Sequence, residues 1–94
     1  METNEISPHL YRVFSFVHEA ARWVTSKDIA EGANVAQRTA RAHALRLVNA
    51  GIFDQAEVFP SHRYRISGKA DKRNKGFMQR LERAREFFTN GKDS

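Results

Sequence analysis

The 94-residue sequence contains no cysteine, which excludes a disulfide framework, a thiolate metal site and a thiol nucleophile, and suits a reducing compartment. It holds only two prolines, and no apolar run approaches the roughly 20 residues that a bilayer crossing needs, so no membrane contact is expected. Its first residues, Met1-Glu-Thr-Asn-Glu5, lack the basic start of a secretory leader. The expected location is therefore the cytoplasm. There is no glycine-rich phosphate loop, no HExxH and no GxSxG, so no catalytic residue is assigned and no enzyme is expected. Metal ligands are equally sparse. His9 and His18, nine residues apart on one helix, point in opposite directions, while His43 and His62 stand far off in sequence, so neither a zinc site nor any other cofactor is expected.

What is present is a chain long enough for one small hydrophobic core, and basic in an uneven way. The net charge of +5 divides sharply. Residues 1–34 carry three Lys or Arg against five acids, a net of −2, whereas residues 35–94 carry thirteen against six, a net of +7. Concentrated positive charge points to a polyanion on one side of the molecule, although solubility alone accounts for many basic domains.

Periodicity supplies the elements. Ser7-Pro8 reads as an N-cap followed by the first helical residue, and Leu10, Val13, Phe14, Val17 and Ala21 then fall within an arc of about 100°. Tyr11 and Phe16 lie off that stripe. Trp23-Val24 reads as a strand stub. Thr25-Ser-Lys-Asp28 forms a capping box for a short helix that Gly32 is expected to end. Asn34 with Gln37 is expected to form a second box, opening a third helix over residues 35–50 that Gly51 closes.

On that third helix Ala36, Ala40, Ala44, Leu47 and Val48 share the inward face, with His43 at its border as a packing residue. The outward face carries Arg38, Thr39, Arg41, Ala42, Leu45, Arg46 and Asn49, with three arginines and no acid. A merely solvated helix usually mixes both signs. Leu45 lies on this face and is expected to pack beneath the following hairpin, with a thymine methyl as its alternative partner. Residues 52–58 and 63–66 read as two strands joined across Phe59-Pro60-Ser61-His62, a hairpin with a basic tip in which Arg63 and Arg65 alternate with Tyr64 and Ile66. A basic link, 68–74, leads to a last helix over 75–90. In it Phe77, Leu81, Ala84 and Phe88 share one stripe, widened by Met78 and Phe87.

A capped short helix, a three-residue turn, a longer helix with a basic outer face and a two-stranded basic hairpin together resemble the winged helix-turn-helix. The residues Thr25-x-x-Asp-Ile-Ala30, Val35-Ala-Gln-Arg-Thr39-Ala40-Arg41-x-His43 and Leu47-Val-Asn-Ala-Gly51-Ile52 look like the pattern of MarR- and ArsR-kind regulators. Ala36 departs from that pattern, which favours serine as a cap, and Asn34 is expected to substitute. Ala44 stands where a larger aliphatic is usual, and Trp23 or Phe53 is expected to fill the space.

The resemblance implies an α+β, mostly α chain: a winged helix-turn-helix over 7–67 with a three-helix core and a two-stranded wing, flanked by free ends at 1–6 and 91–94. It implies sequence-specific binding of double-stranded DNA on the nucleoid, most simply by a repressor occupying its operator. The major groove, about 12 Å wide, accepts a helix whose side chains distinguish base edges. Gln37, Arg38 and Arg41 are the candidates for base edges. Thr39, Arg46 and the helix start at Thr25, Ser26 and Lys27 are candidates for phosphates, and His62, Arg63 and Arg65 for the flanking backbone or minor groove. Any one arginine serves equally as a phosphate clamp, since half to two-thirds of protein–DNA hydrogen bonds go to the backbone.

A homodimer is expected, built by Tyr11, Phe16, Phe77, Met78, Leu81, Ala84, Phe87 and Phe88 and presenting two reading helices about 34 Å apart. The alternative is a monomer capped by its own last helix. No small-molecule effector can be named. The competing function is a winged-helix module for protein or RNA, or for plasmid or phage replication, partition or packaging. Phe59 is the single aromatic in the wing available for stacking on a strand.

Overall fold

The computed structural model describes residues 6–58 and 61–91, with the side chains of residues 58, 61 and 87–91 left aside. The element order is α1 (Pro8–Ala20), β1 (Val24–Thr25), α2 (Ser26–Ala33), α3 (Gln37–Asn49), β2 (Phe53–Val58), β3 (Ser61–Ile66), α4 (Ala70–Arg73) and α5 (Lys75–Gly91). The helix starts follow local chemistry. Ser7 Oγ accepts the Leu10 N–H at 3.1 Å, with Pro8 where a missing N–H costs nothing. The Thr25 box is reciprocal: Thr25 Oγ1 accepts the Asp28 N–H at 3.1 Å, and Asp28 Oδ2 accepts the Thr25 N–H at 3.1 Å.

Between α2 and α3 the structure corrects the expected punctuation. Asn34 does not cap α3; it ends α2 in the left-handed region, φ 58 and ψ 53, with its N–H donating to the Ala30 carbonyl. Asparagine tolerates that region better than most residues, so α2 runs one residue past Gly32 before it turns. Ala36 occupies the N-cap of α3 and offers no side-chain hydrogen bond. Gly32 is helical for a packing reason, because a methyl group there would overlap the Phe16 ring. Ala21 also departs from its expected place on the α1 stripe. It closes α1 at φ 54 and is exposed.

Leu10, Val13, Phe14 and Val17 of α1 meet Ile29, Ala33, Ala40, Ala44 and Leu47 in one buried cluster that Val24, Ile52, Phe53 and Tyr64 close from the sheet side. Phe53 is 1% exposed within that cluster, whereas Trp23 stays half-buried. The sheet has three strands, in the order β1-β3-β2. The two-stranded wing is therefore extended by the stub before α2, with Val24 opposite Tyr64 and Thr25 opposite Arg63. That pairing fastens the start of α2 to the wing.

Residues 68–74 are more than a basic link. Ala70 is buried and opens α4, and the Ser67 N–H donates to the Ile52 carbonyl at 2.9 Å. Arg73 reaches Asp54 at 3.3 Å. Asn74 joins two helix ends: its Nδ2 donates to the Ala50 carbonyl at 3.1 Å, and its Oδ1 accepts the Phe77 N–H at 3.2 Å at the start of α5. Gly51, at φ 83, takes a turn that strains other residues.

Several residues expected at a dimer interface are used inside the chain. Leu81 is 0% exposed, and Phe77 and Met78 are buried with it where α5 packs on α1 and α4. Phe16 packs on Gly32 at the contact of α1 with α2. The reason is economy of apolar surface, since a small core recruits the stripe of its last helix before offering it elsewhere. Ala84 and Tyr11 are half-buried, while the side chains of Phe87 and Phe88 lie outside those described.

Candidate nucleic-acid interface

The turn between α2 and α3 and the burial of Ala40, Ala44 and Leu47 decide which way α3 faces. With that side packed, Gln37, Arg38, Arg41, Ala42, Leu45, Arg46 and Asn49 are exposed and Thr39 is half-buried. None of the three arginines joins an ion pair formed among the described residues; those pairs are His62–Glu57, Arg65–Asp54 and Arg73–Asp54. The face is cationic, acid-free and uncompensated from within.

Hydrogen bonds and strand register gather neighbouring candidates beside it. Gln37 Nε2 donates to Ser26 Oγ at 3.2 Å, which ties the first turn of α3 to the first turn of α2. Lys27 is exposed next to that contact. Thr25 is partly committed: its oxygen and its backbone N–H both serve the capping box, leaving the hydroxyl proton as its remaining donor. Arg63, across the sheet from Thr25, is exposed. The starts of α2 and α3 and strand β3 thus share one side of the molecule.

The wing candidates separate. His62 stands at 3.3 Å from Glu57, both exposed, so an acid lies beside it in the wing. Arg65 is held at the base of the wing, its guanidinium 4.5 Å above the Trp23 ring and its Nε 3.7 Å from Asp54. That geometry places it among structural contacts, whereas Arg63 has no ion pair among the described residues. Phe59 and Pro60, at the tip, lie outside the described residues. Arg46 lies in the last turn of α3, where a cation also offsets the negative end of the helix.

Two ionisable groups border the face. Burial, then Arg46 and His9, hold the His43 imidazole below its usual range, so it prefers to be neutral. Burial pushes the Tyr64 phenol above its usual range against the opposing influence of Arg41 and a hydrogen bond from Gln55. Among the described residues no group of three or more His, Asp or Glu gathers within reach of one metal ion, and no helix is long and apolar enough to cross a membrane.

Leu45 overturns its expected place. It does not pack beneath the hairpin but stands 44% exposed in the middle of the outward face. Its helical angle already placed it there. Ala42 and Asn49 share the face, and their uncharged side chains give no sign in the sequence of contact with a polyanion.

No family model matches the sequence, and no curated protein matches it either. Solved structures do match in fold. The PcaV transcriptional regulator from Streptomyces coelicolor superposes with a TM-score of 0.65 at 16% identity, over 97% of this chain and 66% of that one. A MarR-family transcriptional regulator from Silicibacter pomeroyi gives 0.62 at 15%, over 87% of this chain and 57% of that one. Sso10a-2, a DNA-binding protein from Sulfolobus solfataricus, gives 0.59 at 12%, over 89% of this chain and 88% of that one. This chain thus spans about two thirds or less of the length of the first two regulators, and it has the winged helix-turn-helix fold that MarR-family transcriptional regulators share.

Proposed function

We propose that this protein binds double-stranded DNA sequence-specifically and regulates transcription by occupying its site, as a repressor does. The observation that carries the reading is the exposed, acid-free face of α3, whose three arginines form no ion pair among the described residues. In the major groove Gln37, Arg38 and Arg41, on the first turns, meet base edges, arginine suiting guanine and glutamine suiting adenine. Thr39, Arg46, Ser26 and Lys27 position the phosphates, with the helix-end N–H groups of α2 favouring the same anions. Arg63, with His62 beyond it, follows the flanking backbone. That transcriptional regulators and a DNA-binding protein share this fold supports the reading.

The active species is a homodimer that pairs through the outer part of α5, from Ala84 onward, because Phe77, Met78 and Leu81 already serve the core. Its two α3 helices lie about 34 Å apart, one duplex turn. The test is titration of random duplex and single strand at two salt concentrations, followed by selection from a random duplex pool. Tight duplex binding with a steep salt dependence and an enriched palindrome is expected. Preference for single strands, or duplex binding with no enriched sequence, refutes it. Light scattering that returns 10.8 kDa at micromolar concentration refutes the dimer.

A further inference from the structure

Leu45 is the exposed large hydrophobic side chain of the described residues. An isolated exposed leucine needs no explanation, but this one has a specific setting. Helical spacing puts it one turn beyond Arg41 and Ala42 and two turns beyond Arg38, all exposed on the same face. Whatever covers that face must place negative charge around an apolar group. A DNA major groove does so, with phosphates along its walls and the C5-methyl of thymine on its floor.

We propose that Leu45, flanked by the Ala42 methyl, reads a thymine C5-methyl group in the major groove and thereby determines specificity at one base pair of the site. The inference rests on the proposed insertion of α3 into duplex DNA and deepens it. It also gives a reason for DNA over RNA, because uracil lacks that methyl and the A-form major groove is too deep and narrow for a helix to read.

The experiment uses the full chain and the duplex enriched by selection. Each thymine is replaced in turn by uracil, which keeps Watson–Crick pairing and removes only the methyl. One replacement per half-site is expected to weaken wild-type binding about fourfold, the effect of withdrawing one methyl-sized group from burial. The same replacement is expected to cost Leu45→Ala nothing, while Leu45→Met keeps most of the penalty. An exposed position leaves the thermal midpoint near wild type; Leu45→Gln serves as a second test should Leu45→Ala fold poorly. Equal uracil penalties for wild type and the Leu45 variants at every position overturn the inference while leaving duplex recognition intact. Absence of any enriched duplex for wild type overturns both. A halved mass for Leu45→Ala in light scattering, with unchanged uracil penalties, assigns the leucine to a contact between copies and overturns the thymine reading.

Discussion

Helix α3 carries Arg38, Arg41 and Arg46 without an acid, whereas α5 intersperses Arg80, Arg83 and Arg85 with Glu82 and Glu86. Both helices are amphipathic, and both bury one stripe in the same core. Their outer faces differ. On α5 the acids stand three residues from cations, at helical reach, and Arg80 lies over the Phe77 ring of its own helix at 5.3 Å. On α3 like charges face water with no acid paired to them among the described residues, which is unfavourable in isolation and favourable against phosphate. Counting arginines does not distinguish these helices. Counting the acids among them does.

The contrast can be sharpened first at its inner side. Leu81→Ala removes a fully buried side chain of α5 and is expected to cost about 2–5 kcal/mol in denaturant unfolding. Loss of mass in light scattering with unchanged stability would instead make that face an interface between copies. The outer faces come next. Arg38→Glu with Arg41→Glu is expected to weaken duplex binding about a hundredfold or more, while Arg83→Glu, on α5 ahead of the proposed pairing segment, changes it less than about threefold. Equal losses in a fluorescence anisotropy titration would erase the distinction between the helices.

A smaller effect is expected where α1 meets α2. Gly32→Ala forces the Phe16 ring to move, at about 1–3 kcal/mol for overpacking less part of the helix propensity that alanine gains. A stabilised variant in thermal unfolding would show that the ring moves freely aside. The smallest effect concerns the border of α3. His43 prefers its neutral form in the fold, so its contribution is fully present above the unfolded value near about 6.5 and is lost as pH falls below it. His43→Gln is expected to flatten the stability–pH curve just below that value. An unchanged slope would mean that the imidazole does not sense its burial.

Much of this fold was legible in the sequence because the signals were local. A serine before proline, a Thr-x-x-Asp box and apolar residues three and four apart act within one or two turns, and α1, the start of α2 and both faces of α3 follow from them, except that Ala36, expected on the buried face, is exposed at the N-cap. The misreadings arose where two local options competed. Asn34 suits an N-cap and a left-handed helix end alike, and the geometry of the turn selected the second. Gly32 suits a helix end and a close approach alike, and the Phe16 ring selected the approach. The helical angle of Leu45 puts it on the outer face, and only its apolar character argues for a place beneath the hairpin; the structure leaves it exposed, because exposure of a leucine is unfavourable only until a partner covers it.

By itself the sequence determined the longer helices, the caps that open α1 and α2 and the acid-free outer face of residues 37–49, since helical periodicity and charge placement are properties of neighbours along the chain. Only the tertiary structure decided that β1 joins the wing, that Asp54 holds Arg65 and Arg73, and that Phe77 and Leu81 belong to the core. Those outcomes depend on contacts between residues distant in sequence. An apolar stripe or an arginine carries no mark of which of several possible partners it will meet until the whole chain has competed for the same small interior.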